Sequence, residues 1–234
     1  MIVFPHSMRR LGLPMALLLL LPVATIAAQG TTVTQPVAFA DPPRIDGSLG
    51  AAEWAAATRV GSSGGEILLQ HDGRHVYIGI RHVGNPLGSV CVAESGRIRV
   101  LHASAALGSV TYRHTGATWK LDTAFAYALR DRDASAQAQA NRSTYLGANG
   151  WLASTVYMGT RDEMEYQIRL PSPTATHMLV RVAWLPEGEL AALGAWPAAP
   201  SDDCASTELV RGSAPAILSF RPESWALLEL KPKA

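Results

Sequence analysis

The sequence predicts an all-β fold, a β-sandwich that carries one or two short helices. Several segments alternate apolar and polar residues with a period of two, which is typical of half-buried strands. The segments are short and are separated by Asp-Gly, Ser-Gly and Thr-Gly pairs, which favour tight hairpins because glycine adopts positive φ without steric cost. There is no internal repeat and no linker, so residues 43–234 are predicted to form one domain.

The first 28 residues are organised like a secretory signal peptide. Arg9 and Arg10 precede an apolar run over residues 11–24, and the small residues Ala27 and Ala28 follow it. A membrane anchor is the alternative, but the run is shorter than the roughly 20 residues of a membrane span. We therefore expect cleavage near Ala28, a flexible segment over residues 29–42, and a periplasmic or secreted protein with no membrane span.

Net charge and cysteine content indicate which partners and which cross-links the exported chain can have. The chain has 20 basic and 19 acidic residues, and removal of Arg9 and Arg10 leaves 18 against 19, a net charge of about −1. No basic stripe remains, which argues against a nucleic-acid partner. Two cysteines in an exported chain predict a disulfide between Cys91 and Cys204, with two separate thiols as the alternative.

The clearest hairpin lies between residues 66 and 83. Asp72-Gly73 separates two apolar runs, and Val76, Ile78 and Ile80 fall on one face of the second run. Gly79 in mid-strand indicates a bulge or the close approach of another backbone. Upstream, residues 45–47 predict a turn, and one short helical turn follows around residues 53 and 54.

This order of motifs resembles the family 9 carbohydrate-binding modules and their wider DOMON-like relatives. The resemblance continues in the strand over residues 75–80 and, less closely, in residues 164–171. It implies a DOMON-like or jelly-roll-like sandwich and a non-catalytic module that binds a saccharide. Some relatives bind haem or serve in envelope complexes, so an envelope protein-interaction or haem-binding domain is the alternative. The residues that carry the motif are Ile45, Asp46, Gly47, Glu53 and Trp54.

The remaining elements follow in chain order. We expect hairpins over residues 89–101 and 109–122, and a helix over residues 134–146 between the caps Asp133 and Gly147. A second short helix is expected over residues 187–193, and residues 197–213 are expected to form a loop. Further strands are predicted at residues 124–129, 151–158, 163–170, 178–184, 217–220 and 225–230.

No catalytic residues are assigned, and the chain is not expected to be an enzyme. Residues 61–65 match G-x-S-x-G, but a nucleophile elbow needs a strand before it and a helix after it, so a flexible loop is expected. Glu163 and Glu165 share one strand face, which we interpret as solvated. Three histidines have no further ligand group and no supporting residues for a metal, and we expect them at the surface or at a strand edge: His71, His75 and His82.

Aromatic residues are the candidates for saccharide binding, because a sugar stacks its C–H face on tryptophan or tyrosine. Trp119 and Trp151 lie beside turn residues, and Trp196 lies in a loop rich in proline and alanine. We expect these three to be the exposed tryptophans. The alternative for each of them is core packing.

No cofactor is expected, although calcium remains open. Two acidic groups, around Asp131 and Asp133 and at Asp202 and Asp203, could supply oxygen ligands, but neither has the pattern of a calcium loop. Haem would need axial histidine or methionine ligands. The chain contains His102, His114, Met158, Met164 and Met178 but no attachment motif for c-type haem, and haem is not expected.

Overall fold

The computed structural model describes residues 32–62, 65–81, 83–84, 86–131, 133, 135–186, 193–198 and 202–233. The predicted signal peptide and residues 187–192 of the helix predicted over residues 187–193 lie outside these ranges. Within them, no helix is both long enough and apolar enough to cross a membrane.

The described residues form 14 strands and two α-helices. The strands of the first half are β1 (Val33–Phe39), β2 (Thr58–Ser62), β3 (Gly65–His71), β4 (His75–Arg81), β5 (Gly88–Glu94), β6 (Arg97–Ala103), β7 (Leu107–Thr115) and β8 (Thr118–Leu129). The later elements are α1 (Ala136–Asn149), β9 (Trp151–Ala153), β10 (Glu163–Arg169), β11 (His177–Trp184), β12 (Gly194–Trp196), α2 (Thr207–Val210), β13 (Ile217–Leu218) and β14 (Ala226–Leu230).

The strands form two sheets that share β1, and this confirms the predicted all-β, sandwich-like fold. The large sheet has the order β13-β8-β7-β6-β5-β11-β14-β1, with β12 beside β11. The small sheet has the order β1-β3-β4-β10-β9, with β2 beside β3. Met164 of the small sheet reaches Gly88 of the large sheet, where a Cβ would lie 3.4 Å from its Cε. The inner faces of the two sheets therefore pack together into the main core.

Strand β1 corrects the prediction of a flexible segment over residues 29–42. Val33–Val37 pair in parallel with β14, and Ala38 and Phe39 pair in parallel with β3. Both partners are distant in the sequence, so the pairing has no local signal. Pro36, which cannot donate a backbone hydrogen bond, also obscured the strand.

A second core covers the outer face of the large sheet. Residues 202–225 cross this face and bury Cys204, Leu209, Phe220 and Trp225 against β5, β6 and β7. The predicted disulfide between Cys91 and Cys204 is present in this core. The segment predicted as a loop over residues 197–213 contains a 3-10 helix at Asp203–Ala205 and the helix α2. The residues that cap these two helices are aspartate and serine, which are also common in loops. The sequence pattern therefore did not distinguish short helices from a loop.

Helix α1 begins and ends later than predicted. Its N-cap is Ser135, whose hydroxyl accepts a hydrogen bond from Ala138 N at 3.2 Å, and Asp133 in turn accepts one from Ser135 N. The C-cap is Gly150 at φ 70°, whereas Gly147 lies inside the helix. Ala138, Arg142 and Tyr145 are its buried residues, and their spacing places them on the one face that contacts the sheet.

Candidate functional site

The motifs singled out in the sequence converge on one buried carboxylate, that of Glu165 in β10. Its Oε2 accepts hydrogen bonds from Asp46 N at 2.9 Å and Gly47 N at 2.6 Å, and its Oε1 accepts one from Trp54 Nε1 at 3.2 Å. The turn over residues 45–47 is therefore fixed to the outer face of the small sheet. This contradicts the interpretation of Glu165 as solvated, since its side chain is fully buried.

Burial also changes the acidity of this carboxyl group. Desolvation raises the pKa of Glu165 to about 8, and the N–H groups of Gly47, Asp46 and Trp54 oppose that rise only in part. Its neighbour Glu163 is half-buried and accepts hydrogen bonds from Arg81 Nε at 3.0 Å and Leu49 N at 2.8 Å. The two glutamates thus hold residues 46–49 in place and do not form an open pair for glycoside chemistry.

Gly79 makes room for this cover. A Cβ at this position would lie 2.5 Å from Leu49 Cδ2 and 3.3 Å from Trp54 Cη2. The close approach predicted at Gly79 is therefore made by two side chains and not by a backbone. Glu53 contributes through its carbonyl oxygen, which accepts a hydrogen bond from the side chain of the buried Gln70 at 3.1 Å.

Beside this cover lies a cleft of about 300 Å³, between helix α1, the turn over residues 45–47 and β10. We call it the α1 cleft. Its polar lining residues are Arg44, Asp46, Asp133, Gln139, Arg142, Ser143 and Gln167, and its apolar lining residues are Ile45, Leu146, Leu152 and Met158.

Arg142 is the most firmly held polar residue of the cleft. One of its terminal nitrogens, Nη2, donates to Ile45 O at 3.0 Å and to Ala153 O at 2.9 Å. Its Nη1 lies 4.0 Å from Asp131 Oδ2, and both side chains are almost fully buried. The guanidinium therefore joins helix α1 to the turn and to β9, and it gives one wall of the cleft a fixed geometry.

The lining is balanced in charge and rich in hydrogen-bonding groups. Two arginines face two aspartates, so the four charges cancel, while two glutamines and a serine add neutral donors and acceptors. The apolar residues supply a surface for C–H groups. Such a cleft suits a small, neutral ligand with several hydroxyl groups better than it suits an anion or a flat apolar cofactor.

The three tryptophans predicted as ligand-binding residues do not lie together. Trp151 is fully buried and packs against Tyr145 and Tyr166, with ring centroids 5.6 and 6.5 Å away. Trp196 is only 4% exposed, in β12. The expected exposure of these two residues is therefore wrong, because strands β9 and β12 bury them in the main core. None of the three is among the residues that line the α1 cleft.

Trp119 is half-buried on the outer face of β8. Its indole nitrogen donates to Phe220 O at 3.2 Å, and its ring lies 4.8 Å from that of His114. Phe125 and Tyr127 continue along the same strand, with their rings stacked 5.6 Å apart. Trp119 is therefore partly exposed, whereas Trp151 and Trp196 are buried.

The acidic groups considered for calcium have protein partners. Asp202 accepts hydrogen bonds from Cys204 N, Arg221 N and Trp225 Nε1, and Asp203 accepts one from Ser219 N. Asp131 faces Arg142. In the part of the chain that the structure describes, no group of three or more His, Cys, Asp or Glu side chains could hold a metal ion.

The residues considered for haem are spread over the molecule. His102 lies on the outer face of the large sheet, between Phe125 and Tyr127, where burial lowers its pKa to about 4. Met164 and Met178 lie in the main core instead. Of the three histidines expected at the surface or at a strand edge, His82 lies outside the described residues. His71 is buried, with Nε2 2.8 Å from Lys231 O, whereas His75 stays near Asp72, 3.5 Å away.

The sequence reasoning missed Arg142 and misread Glu165. For Arg142 a signal existed, because the residue falls on the same helical face as Ala138 and Tyr145. A lone arginine on the sheet-facing side of a helix indicates a buried, hydrogen-bonded cation. For Glu165 the strand alternation gave the correct face, but only the tertiary structure shows that residues 45–54 cover it.

Comparison with known proteins adds one distant likeness. A scan against models of protein families gave no match, and a search of curated proteins gave none either. Among solved structures, a proposed carbohydrate-binding protein from Bacteroides uniformis ATCC 8492 is similar at 11% sequence identity and a TM-score of 0.43. The alignment covers 86% of this chain and all of the other. At these values the likeness establishes no family.

Proposed function

We propose that this chain is an exported, non-catalytic carbohydrate-binding-like module whose ligand site is the α1 cleft. The observation that carries the proposal is the lining of that cleft, which combines balanced charges and neutral hydrogen-bonding groups with an apolar wall. Sugars offer the matching groups, hydroxyls around a ring with apolar C–H faces. A volume of about 300 Å³ suits one or two sugar rings.

Rigidity of the cleft supports the same proposal. Arg142 is fixed by two carbonyl oxygens, and the turn over residues 45–47 is fixed by Glu165. Preformed polar groups bind a hydroxylated ligand without the cost of ordering them first. Export is supported by the basic and apolar start of the chain and by the disulfide between Cys91 and Cys204.

Calorimetric titration with a panel of mono- and oligosaccharides tests this proposal. We expect one class of sugar to bind with saturation, and we expect Gln167→Ala and Arg44→Ala each to weaken that binding by about 10-fold, the value of one good hydrogen bond. Trp119→Ala is the matched control, because Trp119 lies in the large sheet, away from the cleft, and should leave the affinity unchanged.

Three results would contradict the proposal. Binding to no sugar in the panel would remove the function, and binding that Trp119→Ala abolishes while the cleft variants leave it intact would move the site to β8. Cleavage of any oligosaccharide would overturn the non-catalytic assignment. The titrations are repeated with calcium and with a chelator, since a saccharide that binds only with calcium would make the metal part of the site.

A second function, interaction with another protein chain, is favoured by one separate observation. Strand β8 lies near the edge of the large sheet, and most of its residues are exposed. An exposed edge strand offers unpaired backbone N–H and C=O groups to another strand.

A further inference from the structure

The outer edge of β8 is open over most of its length. The neighbouring strand β13 pairs only with Trp119 and Lys120, and Leu121 N donates to Ala216 O just beyond it. From residue 122 to residue 129, no strand among the described residues pairs with this edge. An open stretch of this length is a site for pairing with another chain unless charge or shape prevents it.

The open stretch is self-complementary when it is read in the antiparallel direction. Residues 122–130 read D-T-A-F-A-Y-A-L-R. If two copies pair about a twofold axis at Ala126, Asp122 lies opposite Arg130 of the second copy, and Phe125 lies opposite the second copy's Tyr127. Opposite charges and aromatic pairs directly across two strands both stabilise a sheet. Between these pairs, Ala124 lies opposite Ala128 of the second copy, and Thr123 lies opposite its Leu129.

Both charged residues are available at the surface. Arg130 is exposed and forms no ion pair with any residue in the described ranges. Asp122 is exposed and contacts Arg113 at 3.3 Å, a pair between solvated side chains that contributes little by itself. Asp122 can therefore face a second cation without the loss of a buried interaction.

The pairing of β8 with β7 is irregular on both sides of Ala126. The pairing with β7 shifts register at three places, between Leu107 and Gly108, between Ser109 and Thr111, and between Thr111 and Tyr112, so β8 carries one extra residue after Ala126 and two before it. Bulges increase the twist of a strand and commonly protect an edge. Here the two bulges nearest Ala126 lie on opposite sides of it, so a second copy has bulges in the matching places, and the third bulge, at Asp122, lies at the end of the paired stretch.

We propose that two copies of this chain associate through antiparallel pairing of their β8 edges, with the twofold axis at Ala126. The partner is a second copy because the charge and aromatic order of the stretch matches its own reverse. Paired strands alone bury less surface than the roughly 1,600 Å² of a standard stable interface. The dimer should therefore form in a concentration-dependent way.

Analytical ultracentrifugation of the chain purified after export measures the association. We expect a monomer–dimer equilibrium that Asp122→Arg and Arg130→Asp each weaken by about 10-fold or more, because each puts like charges at both ends of the paired stretch. The double variant with both changes restores opposite charges across the axis, although not the contact with Arg113. It should therefore dimerise as the parent does.

A cysteine placed on the axis tests the register directly. Ala126→Cys puts two thiols opposite each other, and oxidation should join the two chains on a non-reducing gel. Ala117→Cys is the matched control, because Ala117 is exposed in the turn between β7 and β8 and lies well away from the axis. It should give little cross-linking under the same conditions.

Each other result would overturn the proposal. A parent chain that stays monomeric at all concentrations would show that the edge is protected or serves a different partner. If both single variants associate as tightly as the parent, or if the double variant does not regain the association of the parent, the dimer uses another surface. Equal cross-linking at positions 126 and 117 would exclude this register. Circular dichroism of every variant shows whether it is folded, so a failure to dimerise is not confused with unfolding.

Discussion

Raising the pH above neutral should destabilise this fold through Glu165. Burial raises the pKa of its carboxyl group to about 8, whereas in the unfolded chain the pKa returns to its ordinary value near 4.5. Between these two values the folded state holds a proton that the unfolded state has released. The contribution of the protonated group to stability is therefore complete at low pH and is lost as the pH rises through the folded pKa.

The size of the effect follows from the shift. One pH unit between the two pKa values corresponds to about 1.36 kcal/mol, so the whole shift is worth about 5 kcal/mol. About 2 kcal/mol of this loss falls between pH 6.5 and pH 9. Buried histidines act at lower pH and in the opposite direction, because burial lowers the pKa of His71 and His102. The alkaline half of the range therefore reports Glu165 with the least interference from them.

Urea denaturation at a series of pH values, on the parent chain and on Glu165→Gln, measures the loss. Glutamine has the same shape and does not titrate, but its amide nitrogen cannot accept a hydrogen bond, so either Trp54 or the N–H groups of Asp46 and Gly47 lose their acceptor. The variant should be less stable by about 1–3 kcal/mol near neutral pH, with a flatter pH profile. A free energy of unfolding that falls no more steeply in the parent than in the variant between pH 6.5 and 9 would refute the reasoning. It would mean that the three N–H donors keep the carboxylate ionised.

Three further outcomes are expected. Replacement of both Cys91 and Cys204 by alanine should lower the free energy of unfolding by about 4–5 kcal/mol, because the bond closes a loop across 113 residues; urea denaturation measures it, and a loss below 1 kcal/mol would contradict the entropic argument. Gly79→Ala should cost about 1–3 kcal/mol through its clash with Leu49, whereas Gly61→Ala, with open space around it, should not. Acidification from pH 6.5 to 4 should lower the free energy of unfolding by up to about 3 kcal/mol, because His102 takes up a proton when the chain unfolds. A His102→Gln variant cannot take up this proton and should lose that part of the pH dependence.

The strands of this fold were predictable where their signal is local. The hairpin of β3 and β4 needs a glycine with positive φ at its turn, and Gly73 has φ 84° there, beside an aspartate that caps the turn. Strand β10 alternates cleanly because its inner face meets the core. Strand β1 was not predicted because it pairs in parallel with β14 and β3, which are distant in the sequence. Such pairings have no tight turn between the strands, so no turn motif marks them.

The site was predictable only in part, for a related reason. The sequence identified the turn over residues 45–47 and Trp54, but not that Glu165, more than a hundred residues later, binds both. The exposure of each tryptophan was also predicted from the residues next to it in the sequence. That criterion failed for Trp151, which lies in the short strand β9 and is buried in the core. Whether a residue beside a turn is exposed depends on what packs over it, and this is a tertiary property.

The two proposed surfaces lie next to each other in the chain, and this has a consequence for ligand binding. Arg130 ends the self-complementary stretch, and the following residue, Asp131, faces Arg142 in the wall of the α1 cleft. In an antiparallel dimer the two Arg130 residues lie at opposite ends of the paired stretch, about 25 Å apart at the usual rise of a strand. A polysaccharide long enough to reach both clefts should then bind the dimer more tightly than a monosaccharide does, by an effective-concentration effect. Asp122→Arg should remove that advantage for the polymer and leave the affinity for the monosaccharide unchanged, and titration of both ligands against both chains measures the difference. An equal loss for the two ligands would mean that the charge reversal disturbs the cleft itself and that the two surfaces are not independent.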